Sequence, residues 1–144
     1  MRETTLAHQI VQAGSFDATV LADRAHLTQV FTNILDNAIK YSPAGGIIRI
    51  EGETTDGPIR VRISDEGLGI AESQLPFIFD RFHRAPRPET ETIRSTGLGL
   101  YLARGWLTQM GGVVAVESEL NVGTTLTVTL RPQLSMNAAD SRIT

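Results

Sequence analysis

The stretch Asn33-Ile34-Leu35-Asp36-Asn37-Ala38-Ile39-Lys40-Tyr41 decides how the rest of the chain is read. Apolar positions Leu27, Val30, Phe31, Ile34, Leu35, Ala38 and Ile39 recur three and four residues apart, the spacing of the buried face of an amphipathic helix. Asn33, Asn37 and Lys40 fall on a separate stripe. Asparagine is a poor helix former because its amide competes for backbone hydrogen bonds, and each one in a helix interior costs roughly 0.7 kcal/mol relative to alanine. Two of them beside an apolar face point to amides used as ligands. The plainer alternative is that they hydrogen-bond a neighbouring loop.

Upstream of this helix, Ala18-Thr19-Val20-Leu21-Ala22 predicts a strand, and Asp23 is a good N-cap for a helix running to about Tyr41. Leu6 to Gln12 is ambiguous between an edge strand and the remnant of an upstream element. Ser42-Pro43-Ala44-Gly45-Gly46 ends the helix. Ile47–Glu53 and Ile59–Ser64 then form a β-hairpin across the turn-rich Thr54-Thr55-Asp56-Gly57-Pro58. A short helical turn follows Ile70, and the charged, proline-rich stretch from Asp80 to Thr96 is a long loop of the kind used as a lid. Leu98, Leu100, Tyr101, Ala103, Leu107 and Met110 predict a helix from about Gly97 to Met110, stopped by Gly111-Gly112. Strands follow at Val113–Glu117 and Thr124–Leu130. Residues 1–131 are therefore expected to form one domain and residues 132–144 a disordered tail.

Composition narrows the function. At 144 residues with 41% hydrophobic content the chain suits a single core, and no internal repeat is present. A net charge of -3 without a dense Lys/Arg run argues against a nucleic-acid binder. Cysteine is absent, which removes disulfides, thiol nucleophiles and cysteine metal sites. The polar start Met1-Arg2-Glu3-Thr4-Thr5 is not a signal peptide, and no apolar stretch is long enough to cross a membrane.

Three short motifs carry chemistry. Asp65-x-Gly67-x-Gly69 follows a strand, where a carboxylate can accept from an exocyclic amine while glycines let backbone approach a planar ring. Gly97-Leu98-Gly99-Leu100 opens a helix whose free N–H groups and dipole suit an anion such as phosphate. Gly123-Thr124 starts a strand. Each is weak alone, since turns and loop ends use the same residues; their order and spacing supply the specificity.

In that order, and with Ile78-Phe79-Asp80-Arg81-Phe82-His83-Arg84 between them, the chain from about Ala18 to Arg131 resembles the ATP-binding catalytic domain of sensor histidine kinases. Asn33 to Ser42 resembles that family's asparagine box and Ile78 to Arg84 its phenylalanine box. The resemblance implies an α+β fold, a two-layer α/β sandwich of the Bergerat type, with a mixed, mostly antiparallel sheet covered on one face by helices. It implies ATP and Mg²⁺ as cofactors. Asn33, Asn37 and Lys40 would be catalytic, with Asn37 presenting its amide oxygen to Mg²⁺, Asn33 supporting it and Lys40 facing the phosphates. Tyr41 would lie against the nucleotide, Asp65 would read the adenine amino group, and Gly67 and Gly69 would make room for the base. Thr96, Gly97, Leu98, Gly99 and Leu100 would frame the phosphates at the hinge of the lid. Phe79 and Phe82 would anchor the near end of the lid in the core, Arg84 would be among the lid cations (with Arg81, Arg87 and Arg94) that supply a phosphate contact, and Thr124 would reach the adenine region. Two departures stand out: Ser95 and Asn121 occupy positions where the family commonly has glycine. Asparagine tolerates the left-handed region.

The same resemblance bears on the reaction. Relatives of this fold that hydrolyse ATP, such as gyrase and the heat-shock chaperone, carry a glutamate one turn before the metal-binding asparagine; Asn33 stands there in this chain. An amide is no general base, so transfer to a nucleophilic imidazole makes better sense than attack by water. His8, His26 and His83 are better read as structural or surface residues than as the phosphoacceptor. In the family that histidine lies on an upstream helical hairpin that also dimerises, which implies that this chain is a segment of a larger kinase. The implied partners are the dimerisation/histidine phosphoacceptor domain and a response regulator receiver domain, with no nucleic acid and no membrane contact by this domain. The implied location is cytoplasmic, as the cytosolic part of a sensor. Two alternatives are a serine kinase of the anti-sigma-factor type and a non-catalytic nucleotide-sensing module; Asn37, Lys40 and Asp65 speak against the latter.

Overall fold

Asp23 is the N-cap of helix α1 (Arg24–Lys40), its carboxylate accepting the His26 N–H at 3.0 Å. That bond to an orphan N–H holds the carboxyl below the usual carboxylate range. Val30, Ile34 and Ala38, the 3–4 stripe of the sequence, are the buried positions of the helix. The computed structural model describes residues 8–14, 23–54, 57–83 and 97–132, so the strand expected at Ala18–Ala22 lies outside the described residues, as does the tail expected at 132–144 except for Pro132, which sits in a β-bridge. α1 ends where Tyr41 returns its N–H to the Asn37 carbonyl at 3.0 Å. Ser42 is buried just beyond, its hydroxyl bonded to the Ala38 carbonyl.

Strand β1 (His8–Gly14) precedes α1, which settles the ambiguous opening as a strand; β2 (Gly46–Thr54) and β3 (Ile59–Asp65) follow as the expected hairpin. A 3₁₀ turn (Glu72–Phe77) leads to helix α2 (Gly99–Gln109), then to strands β4 (Val113–Glu119) and β5 (Gly123–Leu130). α2 starts two residues later than its sequence suggested. Gly97 has φ +72, which no right-handed helix accommodates.

The five strands lie in the order β1-β2-β3-β5-β4, antiparallel except for the parallel pair β1–β2. In β3, Ile59, Val61 and Ile63 alternate inward, facing Leu130, Val128 and Leu126 across the β3–β5 register. These side chains form one core with Val30 and Ile34 of α1 and with Ala103 and Leu107 of α2. The opposite face of β3 carries Arg60 and Arg62, paired with Glu53 at 3.9 and 3.4 Å. Such exposed pairs add little stability, but they mark that face as solvated. The protein is thus a two-layer α/β sandwich with its helices on one face of a mixed sheet.

Candidate functional site

Between α1 and α2 lies a cleft of about 620 Å³ whose walls hold Asn33, Asn37, Lys40 and Tyr41 on one side and Gly97, Leu98, Gly99 and Leu100 on the other. The two asparagines differ. The Asn33 amide nitrogen donates to the Gly99 carbonyl at 3.1 Å, and its oxygen accepts from Gln29 at 2.8 Å. Asn33 therefore ties α1 to the first residue of α2, which is the loop-holding role weighed against a ligand role. The Asn37 side-chain amide lines the cleft with no hydrogen-bond partner among the described residues. Lys40 is exposed at the end of the same stripe and makes no ion pair with a described residue.

A second cluster sits at the ends of β3 and β5. Their register sets Asp65 opposite Thr124. One Asp65 carboxylate oxygen accepts the Gly67 N–H at 2.8 Å. Burial pushes the Asp65 carboxyl up to about 6, while the N–H groups of Gly67 and Thr124 and the positive charge of His8 pull the other way. Gly67 is packed so closely that a Cβ there would stand 2.2 Å from the Tyr41 carbonyl oxygen. Gly69 lies against Glu119 and Leu120. Ser118 organises the same corner: its hydroxyl accepts the Ile70 N–H at 2.8 Å, donates to the Gly123 carbonyl at 2.9 Å and lies 2.8 Å from the Thr124 hydroxyl.

Asp65, Gly67, Gly69 and Thr124 do not line the α1/α2 cleft. They meet it through Tyr41, which lines the cleft and accepts the Leu68 N–H at 2.9 Å. Asn121, with φ +65, donates its N–H to the Leu68 carbonyl at 2.7 Å, so this departure from glycine is accommodated in the left-handed region.

The two phenylalanines separate. Phe79 is buried in the core, with the Arg104 guanidinium 5.2 Å over its ring. Phe82 is 64% exposed, so the expectation that it anchors in the core is corrected. Its φ is +66, and its N–H donates to the Gly97 carbonyl at 2.8 Å. That backbone clasp turns the ring outward, where it lies under Arg81 at 5.6 Å. Arg84, Arg87, Arg94, Ser95 and Thr96 lie outside the described residues.

Sequence reasoning passed over several cleft residues. Gln29 was legible only as an exposed helical position. His26 and Trp106, stacked 5.3 Å apart at 14°, come together only when α1 packs on α2. His83 lies in the cleft wall and Ser118 at the Asp65 corner, and neither is flagged by spacing.

Residues 22–134 match the family described as histidine kinase-, DNA gyrase B-, and HSP90-like ATPase. The chain is 37% identical over 116 residues to the sensor histidine kinase WalK of Bacillus subtilis (strain 168), covering 79% of this chain and 19% of WalK. It is 41% identical over 110 residues to the histidine protein kinase SaeS of Staphylococcus aureus (strain USA300), covering 74% of this chain and 31% of SaeS. It thus spans a fifth to a third of the length of these curated relatives. Among solved structures, the mycobacterial sensor histidine kinase MprB superimposes with a TM-score of 0.77 at 27% identity, over 91% of this chain and 89% of that one. Full-length ShkA, in complex with AMPPNP, superimposes with a TM-score of 0.71 at 29% identity, over 90% of this chain and 27% of that one.

Proposed function

The chain belongs to the histidine kinase-, DNA gyrase B-, and HSP90-like ATPase family, and from that membership we propose that it is the catalytic part of a two-component sensor kinase. It binds ATP with Mg²⁺ and hands the γ-phosphoryl group to a histidine on a separate helical hairpin, from which a response regulator receiver domain takes it. Residues 1–131 carry this activity on the cytosolic side. Among the described residues no helix is long and apolar enough to cross a membrane.

The observation that carries the reading is Asn33. It stands one turn before Asn37, and its amide is occupied at both ends by Gln29 and the Gly99 carbonyl. A bound amide takes no proton from water, so the site suits a nucleophile that arrives ready to attack. Catalysis would then rest on positioning and charge neutralisation. Asp65 accepts from the adenine amine, Tyr41 lies against the nucleotide, and Lys40 faces the phosphates. Gly97 and Leu98 bring backbone to the phosphates ahead of the first turn of α2.

The residues present fit Mg²⁺. Among the described residues the Asn37 amide, which lines the cleft, has no hydrogen-bond partner, and no cluster of three or more His, Cys, Asp or Glu forms a protein cage. Mg²⁺ suits such a site, because it keeps water and phosphate oxygens as most of its ligands. When bound it would neutralise phosphate charge.

The test is calorimetric titration with ATP and Mg²⁺ beside Asp65→Asn and Asn37→Asp, then incubation with labelled ATP and a supplied phosphoacceptor hairpin. The expected result is ATP binding that Asp65→Asn abolishes, and acid-labile, alkali-stable label on the hairpin. The cleft wall holds one carboxylate among the described residues, Asp36. Rapid phosphate release without the hairpin, lost in Asp36→Asn, would overturn the phosphotransfer reading in favour of hydrolysis.

A further inference from the structure

His83 stands in the wall of the α1/α2 cleft, half-buried, and its Nε2 is sealed from water without a hydrogen-bond partner among the described residues. Buried polar atoms in native proteins are almost always satisfied, and an orphan marks a place where a partner is missing. The second orphan ring nitrogen, His8 Nδ1, is a different case. The His8 ring is already bonded through Nε2 to the Ser42 carbonyl at 2.8 Å, and it does not line the cleft.

The backbone fixes which end of the cleft His83 addresses. Its N–H donates to the Asp80 carbonyl at 3.3 Å, and its neighbour Phe82 is clasped to the Gly97 carbonyl at 2.8 Å. A Cβ on Gly97 would stand 3.0 Å from the His83 backbone nitrogen. The ring itself leans on Phe77, 6.2 Å away at 39°. The His83 backbone is therefore held against Gly97, in the cleft that Leu98 and Gly99 also line, whereas Asp65 and Thr124 do not line it. On the nucleotide reading given above, the Gly97 end is the phosphate end, because Asn37 and Lys40 line the same cleft and Asp65 does not. Imidazole χ2 is soft, so rotation of the ring is the route by which Nε2 would reach a ligand.

From this we infer that His83 is a nucleotide-binding residue, donating from Nε2–H to the polyphosphate chain of a nucleoside di- or triphosphate. The inference rests on the nucleotide reading of the cleft given above. It assigns a phosphate contact to a residue that spacing and composition leave as structural.

The test is calorimetry of the full chain, with Mg²⁺, against adenosine, ADP and AMPPNP, for wild type, His83→Phe and His83→Gln. His83→Phe keeps a ring against Phe77 and removes the donor; His83→Gln restores an N–H near the same place. The expected result is about tenfold weaker binding of ADP and AMPPNP by His83→Phe, adenosine within about twofold, and recovery of most of the loss by His83→Gln. Thermal unfolding of both variants close to wild type accompanies it. Equal ADP binding by wild type and a folded His83→Phe would overturn the inference. So would adenosine weakened as much as ADP, which would mean that the ring shapes the pocket. Wild type that binds none of the three ligands overturns the nucleotide reading first, and this inference with it.

Discussion

Leu68 donates its backbone N–H to the carbonyl oxygen of Tyr41 across 2.9 Å, and so joins the turn after β3 to the end of α1. Two clusters that share no wall are coupled by this bond. On one side stand Asn37 and Lys40 in the cleft; on the other stands Asp65 with Thr124. Whatever loosens this junction should disturb base and phosphate recognition together.

Gly67→Ala is the direct probe of that junction, because the added methyl would meet the Tyr41 carbonyl at 2.2 Å. Neither backbone can yield without breaking the Leu68 bond. Urea unfolding should show a loss of about 1–3 kcal/mol, typical of overpacking, and adenosine binding should weaken in parallel. An unchanged midpoint would mean that the turn moves freely.

Asp65 should make stability depend on pH in an unusual direction. Its native carboxyl titrates at about 6, above the reference value of 3.8. The native state therefore holds the proton more tightly than the unfolded chain, and stability falls as pH rises from about 4 to 6, with the full cost present above. Asp65→Asn should be more stable than wild type at pH 8, by on the order of 2 kcal/mol, and close to it near pH 4. Urea midpoints at the two pH values decide it.

The same titration should appear in ligand binding with opposite sense. Adenosine carries no phosphate, so its affinity isolates the base contact. It should stay level above the Asp65 value of about 6 and fall below it, by at most about tenfold per pH unit. Asp65→Asn should bind weakly and without this slope. A flat wild-type profile between about pH 5 and 8 would remove Asp65 from base recognition.

Lys40 is exposed and makes no ion pair with a described residue. Lys40→Ala should therefore change stability by no more than about 0.5 kcal/mol, while ADP binding drops roughly three- to tenfold at low salt. Adenosine should not notice the change. Loss of adenosine affinity of equal size would place Lys40 at the base instead.

Helix α1 was fully legible, because its apolar stripe and the Asp23 cap are local signals; the β2–β3 hairpin was legible from alternation and turn residues, and β4 and β5 were legible as strands, though not their pairing. β1 was not. It is a parallel edge strand with a mixed burial pattern, so no clean period of two marks it. The site was half legible. Asn37 and Lys40 lie on one helical stripe and were found together, while the pairing of Asp65 with Thr124 depends on a register between strands far apart in sequence. The resemblance implied that Phe82 joins Phe79 in the core; a left-handed backbone at Phe82, which no local signal marks, turns it out instead. The orphan nitrogen of His83 exists only once the chain has folded.

The parallel pairing of β1 with β2 has a kinetic consequence. β2–β3 and β4–β5 close across short turns, whereas β1 reaches β2 only by way of the whole of α1. Strands joined by a crossover pair late in folding, since the long loop must close before contacts repay it. Among the described residues β1 is also an edge with a single neighbour, four of its seven residues exposed and none buried. The two rims of the sheet should therefore differ in lifetime, with amide protons of β1 exchanging ahead of those in the β4–β5 ladder.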